Sequence, residues 1–249
     1  MDASNPIVLY DIASRPPVTC YSPNPWKARK ERYALNFKQV HYQTEWVELP
    51  DVTKVRKSLG APPARFFPDG SPFYTLPIIK DPATGQIVGD SFDIALYVDK
   101  LNPEAPSLFP PSTIGLQAAF NAQVDALFTG YVILCADGLP FNPDTVEISK
   151  ATFLERAGLQ NWEQLVIKGE ARTGILEAFK TALGEFSKVY RRTDGLFLEG
   201  DTPIFADFIV GGWLQFLKVT LPEWKDIQTW HDGLWGEIHL GLQKYAEVQ

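Results

Sequence analysis

The sequence predicts two folded units, an α/β unit over residues 1–102 and an all-α unit over residues 112–249. Three observations predict this. Residues 6–100 alternate between short apolar runs of strand character and amphipathic runs of helical period. Residues 102–111 then carry four prolines in ten positions, which neither a helix nor a central strand accommodates, because proline removes a backbone donor and fixes φ. Beyond that break the apolar residues recur at helical spacing.

The elements follow in order. Ile7 to Tyr10 is short and apolar, suited to a buried strand. Ser22-Pro23 is a hydroxyl N-cap with proline at the first helical position, and Trp26 to Leu35 continues with good helix formers. His41 to Val47 reads as a second strand, and Asp51 to Lys57 as a short amphipathic helix. A long ordered loop rich in proline and aromatic residues spans 60–75. Strands at Leu76–Ile79 and Gln86–Gly89 flank a turn at Asp81-Pro82-Ala83-Thr84-Gly85. Asp90-Ser91 caps a helix running to Leu101, so the predicted order is βαβαββα. In the second unit, helical stretches carry Leu116 to Tyr131, Ile175 to Val189 and Phe205 to Leu217.

Composition excludes several classes. Apolar residues make up 45% of the 249-residue chain, ample for a core, so intrinsic disorder is set aside. The net charge is −7, and no basic stripe is interleaved with aromatics, so nucleic acid is not an expected partner. Cys20 and Cys135 lie far apart without CxxC spacing, and His41, His231 and His239 have no metal-ligand spacing; neither a disulfide scaffold nor a metal site is expected. No apolar run approaches a membrane span, and the N-terminus lacks signal-peptide character. A soluble protein of the reducing cytoplasm is the expectation.

Two features point to ligand binding. Pro77 interrupts the strand Thr75-Leu76-Pro77-Ile78-Ile79, where proline cannot donate to the ladder. It is either an edge-strand proline or a cis-proline that turns the Leu76 backbone outward to pair with an extended peptide ligand. Asp90-Ser91 begins a helix, where free N–H groups and the positive dipole end suit a carboxylate, although ordinary capping explains the pair equally well. Together they would hold opposite ends of one small acidic peptide.

Leu76-Pro77 followed by Gly89-Asp90-Ser91-Phe92-Asp93-Ile94-Ala95-Leu96-Tyr97-Val98 resembles the glutathione-binding half of cytosolic glutathione transferases, worded Val/Leu-Pro, then Glu/Asp-Ser-x-Ala-Ile-x-x-Tyr-Leu. Ser22 to Arg29 resembles the Ser/Cys-Pro start of the first helix in that superfamily, and Gly200 to Phe208 resembles its Gly-x-x-Pro-Ser/Thr-x-Ala-Asp motif. Ile204 departs from that motif by replacing a capping hydroxyl, so Thr202 or Asp201 is expected to cap the helix instead. The 60–75 loop and the Trp-Lys-Ala-Arg-Lys helix start are most similar to the etherase-like class, the bacterial lignin β-aryl-etherases and their fungal relatives. The fungal nitrogen-regulator-like transferases are the nearest competitor.

The resemblance implies a thioredoxin-like N-terminal domain, a helical C-terminal domain, glutathione as co-substrate and a homodimer. It implies Ser22 as the hydroxyl that donates to the glutathione sulfur, with Asn24 and Cys20 as rivals in that order and Tyr21 as a further donor. Leu76 would pair with the cysteinyl backbone, Pro77 would be the cis-proline, and Asp90 with Ser91 would hold the γ-glutamyl end. Lys54, Arg56, Lys57, Arg65, Lys38 and Gln39 all qualify for the glycyl carboxylate. A pocket for small aromatic ligands is expected among Trp26, Phe120, Val124, Leu127, Phe128 and Tyr131, although aromatics at helical spacing are more often core. The implied activity is attack of the thiolate on aromatic electrophiles in detoxification, by conjugation or by ether or ester cleavage. The alternatives are a ligandin that holds aromatic compounds such as plant phenolics without chemistry, and a regulatory protein that has lost activity.

Overall fold

The computed structural model describes residues 5–16, 30–191 and 194–249. Ser22, Asn24 and Trp26, together with Cys20 and Tyr21, lie outside the described residues. The first unit is built from β1 (Ile7–Ile12), α1 (described over Lys30–Phe37), β2 (Tyr42–Val47), α2 (Val52–Ser58), the short strands β3 (Arg65–Phe66) and β4 (Pro72–Phe73), β5 (Ile78–Lys80), β6 (Ile87–Gly89) and α3 (Ser91–Leu101). A four-stranded sheet has the order β2-β1-β5-β6, with β1 parallel to β2 and antiparallel to β5. This is the predicted βαβαββα order with one addition. The 60–75 loop holds a two-stranded hairpin, in which Arg65 pairs with Phe73 and Phe66 with Pro72.

Sheet alternation divides the side chains between two cores. Ile7, Leu9 and Ile79 pack with Leu35 of α1 and with Ile94 and Val98 of α3. Ile12 and Ile78 face the other way, toward Val52 of α2, Leu76 and Phe141. On α1, Tyr33, Ala34 and Phe37 turn away from the sheet and join the large helical core, where Tyr33 and Phe37 meet the Phe208 ring at centroid distances of 5.7 and 5.4 Å.

The helical region comprises α4 (Ile114–Thr129), a 3-10 segment Val132–Gly138 bent 62° from it, α5 (Val146–Ala157), α6 (Gly169–Ser187), α7 (Phe205–Thr220), α8 (Trp224–Ile227) and α9 (Leu234–Gly241). Helix α7 is its centre: Phe205, Phe208, Ile209, Val210, Trp213 and Leu214 are all fully buried. Three of these helices coincide with the stretches read from periodicity. Helix α5 gave no such signal because it lies at the surface: Ser149 is its one buried residue, and Ile148 is exposed. Among the described residues, no single helix is long and apolar enough to cross a membrane.

The cap of α7 differs from expectation. Neither Thr202 nor Asp201 caps it; Ile204 occupies the N-cap position, with no side-chain acceptor of its own. Partners come from elsewhere in the fold instead. The Phe205 N–H donates to the Leu108 carbonyl at 3.0 Å, and the Ala206 N–H to Gln117 Oε1 of α4 at 2.8 Å. Asp207 accepts from the Ile204 and Leu198 N–H groups, each at 3.0 Å. The lost local hydroxyl is thus replaced by tertiary acceptors, which satisfy the same orphan donors.

Candidate functional site

The Leu76–Pro77 peptide bond is cis, which decides between the two readings of Pro77. Strand β5 begins one residue later, and Ile78 pairs with Gly89 in an antiparallel register. The ladder ends at that pair, with Pro77 directly before it on one strand and Asp90 directly after it on the other. The two motifs read separately from the sequence therefore form one corner of the molecule. Among the described residues, the Leu76 N–H takes no part in the backbone hydrogen bonding.

Asp90 holds this corner in an unusual conformation. Its φ of 79° and ψ of 133° lie in a region that side-chain-bearing residues rarely enter. Its Oδ1 accepts from the Phe92 N–H at 3.1 Å, so it caps α3 while its backbone turns sharply. Backbone strain of roughly 1–3 kcal/mol of this kind persists where the surroundings overdetermine it.

Arg56 supplies much of that overdetermination. Its side chain is buried, with Nε donating to the Pro62 carbonyl at 2.6 Å and a second nitrogen donating to the Thr75 carbonyl. A Cβ on Gly89 would lie 2.7 Å from Arg56 Nη2, so glycine at 89 lets the guanidinium pass beneath the β6–α3 junction. Burial lowers the Arg56 pKa, and the charge of Asp90 opposes that shift. Arg56 thus braces the residues around the cis bond from below. Burial and these two bonds set Arg56 apart from the exposed candidates for the glycyl carboxylate.

The other cationic candidates separate in the same way. Lys38 is buried, paired with Asp99 at 3.0 Å, and donates to the carbonyls of Ala105 and Pro106, so it secures the linker and is not open to a ligand. Gln39 is exposed just beyond the C-terminal end of α1, with φ of 53°. Lys57 lies 5.1 Å above the Tyr74 ring, and Lys54 is exposed. Arg65 lies 4.5 Å from the Phe73 ring centroid.

The aromatic candidates of the helical region pack into its core. Val124 and Phe128 are buried, and Phe128 stacks on Trp213 at 5.2 Å. Phe120 contacts Phe186, and Tyr131 contacts Phe179. Leu127 packs against the same cluster. A cavity of about 270 Å³ opens elsewhere, bounded by Leu49 and Phe73 on one side and on the other by Val132, Ile133, Leu139 and Phe153. None of Phe120, Val124, Leu127, Phe128 and Tyr131 lines it. Cys135 forms part of its wall; burial pushes that thiol up to about 12, so it is a neutral apolar surface and not a nucleophile.

Sequence reasoning missed a further network at the first described residue of α1. Lys30, fully buried, donates to Asp125 at 2.6 Å and to Asn121 at 3.0 Å, and Asp125 also accepts from Trp213 Nε1 at 2.8 Å. It joins α1, α4 and α7 through one carboxylate. The available signal was a lysine at an apolar helical position whose acidic partner lies 95 residues away in sequence.

These features match known proteins along the whole chain. A model of the glutathione S-transferase N-terminal domain matches residues 21–101, and one of the C-terminal domain matches residues 115–245. The chain belongs to the glutathione S-transferase family, with its mixed sheet followed by helices. A glutathione S-transferase of Ceriporiopsis subvermispora, solved in complex with glutathione, is 37% identical with a TM-score of 0.86, covering 98% of this chain and 99% of that one. Glutathione transferase GSTFuA2 from Phanerochaete chrysosporium is 32% identical with a TM-score of 0.83, at 98% and 99% coverage. The glutathione S-transferase-like protein ustS of Aspergillus flavus is 25% identical over 247 residues, 92% of this chain and 87% of that protein. The enzyme is accordingly a glutathione transferase.

Proposed function

We propose that the chain binds glutathione along the Leu76–Pro77 edge and adds its thiolate to small aromatic electrophiles, or uses it to cleave aromatic ethers or esters. The observation that carries this reading is the cis Leu76–Pro77 bond beside the Ile78–Gly89 pair, from which the chain runs straight into Asp90 and Ser91. The Leu76 N–H and C=O pair with the cysteinyl backbone, as a strand adds to an edge. Asp90 accepts from the γ-glutamyl ammonium, and the start of α3 with Ser91 receives its carboxylate.

Ser22 is the hydroxyl assigned to the sulfur. Donating a hydrogen bond to the thiolate lowers the thiol pKa from about 8.5 toward neutrality. The thiol proton passes to solvent. The sulfur lone pair then forms a C–S bond to the electrophilic carbon, and the leaving group departs with its bonding pair. Much of the enzyme's contribution is an ionised nucleophile held in line with a bound co-substrate. The cavity between Phe73 and the Val132–Leu139 segment is the seat assigned to that co-substrate.

Two measurements test the reading. Calorimetry of glutathione against Asp90→Ala is expected to show at least tenfold weaker binding than the unmodified protein; equal affinity would remove Asp90–Ser91 from the site. Ultraviolet titration of bound glutathione in Ser22→Ala is expected to show a higher thiol pKa, and an unchanged value would pass the role to Asn24 or Cys20. A homodimer is part of the same reading. Sedimentation equilibrium decides that point.

A further inference from the structure

The geometry points to an anionic aromatic compound, an aryl carboxylate, as the ligand class of the apolar cavity, its ring enclosed by the cavity walls and its carboxylate held between Arg65 and Arg156. This rests on the reading that the cavity seats the co-substrate, and it adds a charge preference that the reading does not contain.

Size sets the first limit. A cavity of about 150 Å³ accommodates benzene, so 270 Å³ admits a substituted ring or two fused rings. Lining chemistry sets the second. Leu49, Phe73, Val132, Ile133, Leu139, Phe153, Leu165 and Phe216 present apolar surface, and Cys135 is neutral. Among the described residues that line the cavity, Arg65 and Arg156 are the charged ones, and no carboxylate shares the lining with them. Burial lowers the Arg156 pKa, and the charge of Glu155 opposes that shift; Glu155 lines the neighbouring polar cleft, as does Asp69, which accepts from the Ser71 N–H and hydroxyl.

The two guanidinium groups converge on one ring. Arg65 lies 4.5 Å and Arg156 5.5 Å from the Phe73 centroid, so a single aromatic platform orients both. Arg156 is half-buried, whereas Arg65 is exposed. Phe73 and Arg156 also border the polar cleft lined by Pro50, Thr53 and Tyr74. They therefore mark the boundary between apolar and polar space, where the head of an amphipathic ligand would sit. A carboxylate there meets donors in fork geometry, and partial desolvation strengthens the attraction above its value in water. A neutral ligand gains the apolar contact alone.

The test compares 2-naphthoic acid with methyl 2-naphthoate at neutral pH, by fluorescence titration of the full-length protein. The acid is expected to bind at least tenfold more tightly than the ester. In Arg65→Gln/Arg156→Gln the two affinities should converge, with that for the ester unchanged. Ala157, exposed and part of the cavity lining, gives the location control: Ala157→Trp should weaken both ligands. Equal affinities in the unmodified protein, an acid preference that survives the double variant, acid binding that survives Ala157→Trp, or no binding of either probe would each overturn the inference. Glutathione calorimetry on the same preparations separates the two levels. Retained glutathione binding with any of those outcomes defeats the charge preference alone, whereas lost glutathione binding defeats the reading beneath it.

Discussion

The Leu76–Asp90 corner and the apolar cavity are built by opposite means. The corner is local: a cis-proline, a two-strand ladder and a helix cap, all within 16 residues of chain, bring the Leu76 backbone and the capping carboxylate together. The cavity takes one or a few residues from each of several distant segments, from Leu49 to Phe216. A local device leaves a motif in the sequence. A cavity formed by convergence leaves none, because each contributor is an ordinary apolar residue at an ordinary helical or loop position.

The largest expected effect lies under the corner. Arg56→Met should destabilise the protein by about 3–5 kcal/mol, because the buried Thr75 carbonyl and the Pro62 carbonyl lose their donor and Asp90 loses a nearby cation. Urea unfolding measures it, and Arg56→Lys should recover part of the loss. Glutathione affinity should fall with it, since the brace and the binding edge are continuous. Unimpaired binding in a stable Arg56→Met would separate the two.

Next in size is a pH effect confined to the helical side. Asp207 is buried at the start of α7, and desolvation raises its pKa to about 7, against the ordinary carboxylate value kept in the unfolded chain. The folded state therefore holds a proton that the unfolded state has released between about pH 4 and 7. Stability is highest at the acid end of this window and falls by up to about 1.4 kcal/mol per pH unit as pH rises through it, levelling off above 7. Asp207→Asn should flatten that slope in denaturant midpoints measured across the window, while leaving the corner's glutathione affinity alone.

Gly138→Ala comes third and acts on the cavity. A Cβ there would lie 1.9 Å from the Thr220 carbonyl oxygen, so the 3-10 segment must move away from the end of α7. A cost of about 1–3 kcal/mol in thermal unfolding is expected, with weaker binding of aromatic probes. The smallest effect is Asp90→Ala on stability: loss of the α3 cap should cost about 0.5–2 kcal/mol, against the at least tenfold loss of glutathione affinity expected from the proposed site. A variant that hardly disturbs the fold yet disables the ligand site is the sharpest separation of corner from scaffold.

What could be read without coordinates followed the same division. Ile7 to Tyr10, Asp90-Ser91 and the 102–111 break announced themselves because each encodes its conformation through its own side chains or ring constraints. The Thr202 expectation failed because the acceptors for α7 come from Leu108 and from Gln117, residues that no local pattern connects to position 205. Arg56 was noticed as a cation, but the sequence alone could not distinguish a side chain reaching out to a ligand from one turned under a backbone turn. Its burial makes that distinction.

The sequence by itself determined the βαβαββα order of the first unit, the irregular stretch between α3 and α4 and the cap of α3 at Asp90, since alternation, proline chemistry and capping act over a few residues. Only the tertiary structure decided that Phe128 and Tyr131 serve the helical core, that Arg56 braces the site, and that Phe73 with two arginines edges the cavity. Those outcomes depend on which distant surfaces meet. Hydrophobic burial, the force that brings them together, is non-directional and carries no address along the chain.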